Sequence, residues 1–265
     1  MPIHPTAIVH SDARLAENVE VGPHVVVEAD VEIGEGSRIE TNAVLKAGLR
    51  LGRRVQVHEG AVLAGEPQDL KFDGARSFAV IGDDCVIREF ATVHRSVREE
   101  GVTRVGRGCF IMGYGHVAHD CEIGDEAIIA SYVALAGHIV IGPRAFVSGG
   151  VVVHQFSRIG ELAMIGGGSK VNRDVPPYIT VDGMPARAVG LNVVGLRRAG
   201  FGIDDLSILK RAYRILFRSK AALEDALVEI EALASPHAAA LAKFVRSSER
   251  GICRGRSSSK YPTRG

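Results

Sequence analysis

Every sixth residue of this chain, counted from Ile3, is a branched aliphatic: Ile3, Val9, Leu15, Val21, Val27, Ile33, Ile39, Leu45, Leu51, Val57 and Leu63. The phase returns at Ile81, Ile87 and Val93, then runs through Val105, Ile111, Val117, Ile123, Ile129, Leu135, Ile141, Val147, Val153, Ile159, Ile165 and Val171. A helix repeats near 3.6 residues and a half-buried strand near 2, so neither explains a period of six. A short strand followed by a tight turn does, with three such units closing a triangular coil of 18 residues. The aliphatic residue points inward. The residue four further on is small (Ala7, Ala13, Ala43, Ala61, Cys121, Ala127, Ala145, Ala163) and fits the crowded corner. The Gly that often follows the aliphatic residue is expected to tolerate the turn dihedrals. Successive coils should stack as parallel β-strands roughly 4.8 Å apart.

Two polar, Gly-containing stretches break the phase, near 66–79 (EPQDLKFDGARSFA) and 95–104 (RSVREEGVTR). Each coil is fixed by its neighbours, so such insertions must bulge outward, where solenoids often carry binding function. After Pro176-Pro177 the spacing becomes helical. Leu206, Leu209, Tyr213 and Leu216 form one apolar stripe, and Leu223, Leu227, Ile230 and Leu233 a second. Ser235-Pro236 predicts a cap and first turn before Leu241, Phe244 and Val245. The expected organisation is a repeat domain over 1–190, a helical domain over 191–251 and a disordered tail over 252–265.

Composition agrees with a narrow interior: 31 Gly, no Trp and 5% aromatic residues leave the core to small branched side chains. A formal charge of +1 gives no field that would favour nucleic acid. Cys85, Cys109, Cys121 and Cys253 lack CxxC spacing, and MPIHPTAIVH has neither a basic nor an apolar leader segment. No apolar run approaches the ~20 residues of a membrane span. The expectation is a soluble cytoplasmic protein without membrane insertion.

Candidate chemistry follows from the 18-residue stack. His119 should lie under Gly137 and Gly137 under Gln155, with Asp120 under His138. His116 shares a coil with His119, and His154 adjoins Gln155, so four of ten histidines gather on about three coils. Outward histidines have no packing reason to cluster. An imidazole with pKa near neutrality can act as a general base, and a glycine above it can offer an unshielded N–H to an oxyanion. Three imidazoles could equally bind zinc. Gly113, Ser131, Gly149 and Gly167 form a second column, and Gly167 stands 48 residues after His119. That is a height of roughly 13 Å, about the length of a ten-carbon chain.

The segments GHVAHDC (115–121), LAGHIVIG (135–142), VVHQFSRIG (152–160), DVPPYITVDG (174–183) and GLNVVGLRRAGF (190–201), with the loop GEPQDLKF (65–72), resemble the UDP-N-acetylglucosamine O-acyltransferase family along nearly the whole chain. The resemblance implies a left-handed parallel β-helix with a C-terminal helical domain, assembled as a homotrimer. It implies transfer of a 3-hydroxyacyl chain from acyl carrier protein to the 3-hydroxyl of UDP-N-acetylglucosamine in lipid A synthesis, with no cofactor or metal. Residue by residue, His119 falls on the catalytic base and Gly137 on the oxyanion donor. Asp69, Lys71, His116, His138, His154 and Gln155 fall on positions that contact sugar, diphosphate or acyl group. Asn192 and Arg198 fall on nucleotide-binding positions, and Gly167 on the one that sets acyl length, which implies a donor of twelve to fourteen carbons. The family often has an acidic residue before GL and a second Arg before GF; this chain has Val194 and Ala199 there. Seven Lys/Arg between Arg197 and Lys220 (197, 198, 210, 211, 214, 218, 220) would attract an acidic carrier protein. Among rivals, a zinc carbonic anhydrase on the same solenoid spaces two ligands as HxxxxH, where this chain has HxxH. A later N-acyltransferase of the pathway carries a separate domain before its repeats, whereas here the hexads begin at Ile3. A purely structural solenoid would have no histidine cluster.

Overall fold

The computed structural model describes residues 3–255, and the fold is a left-handed parallel β-helix followed by four helices. Its strands are mostly two residues long and fall into three sheets, one for each side of a triangular prism. The first sheet has nine strands, from Ile8–Val9 to Lys170–Val171. The second has eight, from Arg14–Leu15 to Arg158–Ile159. The third has ten and ends in an antiparallel hairpin of Ile179–Asp182 and Arg187–Leu191. Val26 pairs with Val44 and Val44 with Val62, one coil of eighteen residues each time.

The loops lengthen this step without turning it. Val62 pairs with Thr92, thirty residues on, and Thr92 with His116, twenty-four on. The insertions therefore add two hexads and one hexad. Both are shorter than the sequence pattern suggests, because Phe78–Ile81 and Val102–Val105 extend into the second sheet and pair with each other.

The aliphatic column is the core, with side chains such as Leu45, Ile87, Ile111 and Leu135 fully buried. The first coil differs: Ile3 is 48% exposed, with no coil beneath it among the described residues. The glycines after the aliphatic residues also differ from expectation. A Cβ at Gly34 would lie 2.4 Å from Gly52 O, and one at Gly142 2.4 Å from Glu161 N. Close approach of the next coil, not dihedral freedom, is what excludes a side chain there. The left-handed corner positions are held mostly by other residues, among them Asp120 (φ 59°), His138 (φ 60°) and Phe156 (φ 62°).

The helices are α1 (Val193–Arg198), α2 (Ile203–Arg218), α3 (Leu223–Glu231) and α4 (Pro236–Arg246). The Asp205 carboxylate accepts the Gly202 N–H at the start of α2, and Pro236 opens α4 after Ser235. Leu227, Ile230, Leu241 and Val245 pack together with Ile215. Leu206, Leu209 and Leu196 pack on Leu162 and Tyr178 at the top of the prism. Of the expected tail, residues 252–255 are ordered: Ile252 bridges to Asp174, Gly255 to Ala188, and Cys253 is buried. The rest of that stretch, 256–265, lies outside the described residues. Among the described residues no helix is long and apolar enough to cross a membrane.

Candidate active site

His119 stands at the corner between the first and second sheets, just after the strand His116–Val117 and before Glu122–Ile123. It is nearly buried, and its Nδ1 lies 2.9 Å from Asp120 Oδ2. Asp120 is fixed from every side: Ser96 Oγ donates to Oδ1 at 2.6 Å, Arg98 Nε to Oδ1 at 3.2 Å and Val97 N to Oδ2 at 3.2 Å. Burial alone would raise its pKa, but the hydrogen bonds from Ser96, His119 and Val97 hold it below the usual carboxylate value. A charged, immobile acceptor at Nδ1 keeps the proton on that nitrogen and leaves Nε2 as the basic one. The Ser96–Val97–Arg98 clamp comes from the second insertion, whose path no hexad pattern determines.

Gly137 lies directly over the ring. A Cβ built there would sit 2.4 Å from His119 Cε1 and 2.6 Å from Nε2. Its carbonyl accepts the Phe156 N–H, while its own N–H has no acceptor among the described residues. An amide that carries no side chain and has no such acceptor thus lies next to the His119 ring.

The other histidines surround this pair. His138 meets His119 edge-on at 5.1 Å, stacks on Phe156 at 4.7 Å and has Nε2 4.0 Å from Asp120 Oδ2. Burial lowers its pKa, against the opposing pull of Asp120. His116 Nδ1 is 2.7 Å from Thr92 Oγ1, and burial followed by the charge of His119 lowers its pKa. Below it, edge-on at 5.0 Å, lies His94, whose buried Nδ1 has no partner among the described residues and whose pKa burial pushes down to about 4. His94 escaped the sequence reading because an extra hexad displaces it from the simple stack.

A cleft of about 640 Å³ opens over His116 and His119, while His138 and His94 are not among its lining residues. Asp69 and Lys71 line one wall from the first loop; His116, His119, Gly137 and Gln155 line the other. His154 is exposed and is not among the residues that line the cleft, although its neighbour Gln155 is; its Nδ1 lies 3.2 Å from Arg250 Nη2, a contact with the C-terminal segment that sequence spacing could not anticipate. Asn192 and Arg198 are not brought into this cleft. They line a separate one of about 550 Å³ on the third sheet, with Glu126, Arg144, Val194 and Ala199. The Asn192 carboxamide is engaged within the chain: Nδ2 donates to Leu162 O at 2.9 Å, and Oδ1 accepts Gly195 N–H at 3.0 Å as the cap of α1. Gly167 sits at the third corner, between the third and first sheets; a Cβ there would meet Gly149 O at 3.5 Å.

Residues 174–253 fit the family model for domain 2 of UDP-N-acetylglucosamine O-acyltransferase, and residues 103–137 that for the bacterial transferase hexapeptide. An acyl-[acyl-carrier-protein]–UDP-N-acetylglucosamine O-acyltransferase of Alkalilimnicola ehrlichii is 49% identical over 255 residues, covering 95% of this chain and 99% of that protein. Its counterpart from Thiobacillus denitrificans is 45% identical with the same coverage. Among solved structures, the UDP-N-acetylglucosamine acyltransferase of Bacteroides fragilis superposes with a TM-score of 0.94 at 41% identity, over 96% of this chain and 100% of that one. The Campylobacter jejuni enzyme gives 0.91 at 34%, over 96% and 100%.

Proposed function

The chain belongs to the UDP-N-acetylglucosamine O-acyltransferase family, and from that premise we propose that His119 is the general base of its acyl transfer from acyl carrier protein to UDP-N-acetylglucosamine. The observation that carries the proposal is the clamped Asp120–His119 pair beneath Gly137, whose N–H has no acceptor among the described residues. His119 Nε2 takes the proton of the sugar 3-hydroxyl as that oxygen attacks the thioester carbonyl. The Gly137 N–H receives the oxyanion of the tetrahedral intermediate. Collapse breaks the C–S bond, and the imidazolium returns its proton to the leaving carrier thiolate. Asp120 stabilises that imidazolium without itself taking the proton. Neither a metal nor an acyl-enzyme is needed.

Lys71, Asp69, His116, His138, His154 and Gln155 are read as the binding groups for sugar, diphosphate and acyl chain. Asn192 and Arg198 are read as nucleotide contacts, with the Asn192 cap aligning α1 and Arg198 supplying the charge. These two groups face different sides of one prism. A threefold assembly, in which one subunit's His119 corner meets its neighbour's third sheet, would unite them. The exposed basic side chains of α2 suit an acidic carrier protein. The product would enter lipid A synthesis in the cytoplasm.

The test is mass spectrometry of the product from UDP-N-acetylglucosamine and a mixture of 3-hydroxyacyl carrier thioesters. His119→Ala should lower turnover by ~100 to 10,000-fold with the fold retained. Turnover near that of the parent chain would refute the assignment.

A further inference from the structure

Under the loop that carries Asp69 and Lys71 lies Arg95, which has no part in the chemistry above. It follows the strand Thr92–His94, and its side chain is only 14% exposed. It meets the loop at both ends. At the root its backbone N–H donates to Gly65 O at 3.0 Å, and Nη2 stands 3.6 Å from Glu66 Oε1. At the far end its Cζ lies 5.3 Å from the centre of the Phe72 ring. On the coil below, Nη1 reaches Ala47 O at 3.5 Å.

The stretch between these anchors makes its hydrogen bonds within a turn. Phe72 N donates to Asp69 O at 3.0 Å, and Lys71 N to Asp69 Oδ1 at 2.9 Å. Leu70 at the tip is fully exposed. A segment with so few bonds to the prism opens readily unless something holds its ends.

We infer that Arg95 is a positioning residue that pins the 66–72 loop across the His119 cleft, so that Asp69 and Lys71 are in place before the sugar nucleotide arrives. This rests on the reading of Asp69 and Lys71 as substrate-binding groups. When a loop is in its binding geometry only part of the time, apparent affinity falls by that fraction while chemistry in the closed complex is unchanged. Arg95 therefore governs KM for the sugar nucleotide and leaves kcat and the pH profile alone.

The experiment uses the full chain with four substitutions, three of them at the Arg95–Phe72 contact. Arg95→Met removes the charge and the fork; Arg95→Lys keeps the charge over the ring; Phe72→Ala removes what Arg95 holds without touching the prism. Two quantities are read: KM and kcat with UDP-N-acetylglucosamine, and the rate of trypsin cleavage after Lys71 under native conditions. Arg95→Met and Phe72→Ala should each raise KM about tenfold and speed the nick at Lys71 by a similar factor, with Arg95→Lys between them and the parent. An unchanged nicking rate in folded Arg95→Met and Phe72→Ala overturns the anchor, as does a fall in kcat at constant KM. Lys71→Ala in the parent chain separates the two ideas. Faster nicking in Arg95→Met, together with a normal KM in Lys71→Ala, would keep the anchor and remove the loop from the binding site.

Discussion

A Gly137→Ala substitution would set a methyl group 2.4 Å from His119 Cε1 and 2.6 Å from Nε2. Comfortable carbon contacts begin near 3.5 Å, so the ring or the next coil must shift by about 1 Å. The ring is poorly placed to yield. Its Nδ1 is tied to a carboxylate that three donors hold, and His138 stands edge-on beside it. Overpacking of this kind costs roughly 1–3 kcal/mol of stability. Misplacing a reacting group by about 1 Å costs roughly a hundredfold in rate. We therefore expect kcat/KM to fall about a hundredfold, or ~2.7 kcal/mol of transition-state stabilisation. The protein should remain folded, since Gly137 does not need a left-handed backbone. Initial rates of carrier-thiol release and a thermal melt measure both sides. Gly190→Ala, where a Cβ meets nothing within 4 Å, is the control. A folded Gly137→Ala enzyme with parental kcat/KM would show that the ring's position does not govern the reaction.

Exhaustive chelation should leave activity intact, although ligand atoms of His119, Asp120 and His138 lie within 4.8 Å of one another; loss of activity restored by zinc would favour a metal mechanism. His94, held neutral to about pH 4 against an ordinary value near 6.5, makes the unfolded chain bind the extra proton between those values. Stability should then fall as pH drops from ~6.5 to about 4, by roughly 3 kcal/mol from this residue, and His94→Gln should flatten the slope in denaturant titrations. Parallel slopes for the two proteins would contradict that assignment. Gly167→Met should shift donor preference from twelve or fourteen carbons toward ten; an active variant with the parental preference among these thioesters would place the ruler elsewhere.

The prism was legible because its packing depends on one period. The same arithmetic brought His119 under Gly137 and set Asp120 beside His138, since stacking in a solenoid is register alone. Contacts outside that register were not legible. The clamp on Asp120 comes from Ser96, Val97 and Arg98, in an insertion free of the hexad rule. Asn192 carries a family motif, yet its amide caps α1, a role set by local backbone geometry. Glycine was misread for a related reason: dihedral freedom is a property of one residue, whereas the approach of Gly52 to Gly34 belongs to two coils.

The eighteen-residue coil gives the chain something like a reading frame. Six residues added within the stack would rotate every later position by one side of the prism, so that a core side chain stayed inside while each corner residue moved to another corner. Eighteen would restore every corner and only raise the later ones by ~4.8 Å. The two existing insertions, of two hexads and one, avoid the rotation by looping out, as the pairings Val62 with Thr92 and Thr92 with His116 record. Length changes in such a chain are therefore tolerated at the corners or in whole coils. The height of Gly167 above His119 would change in such a chain only by whole coils, about 4.8 Å at a time.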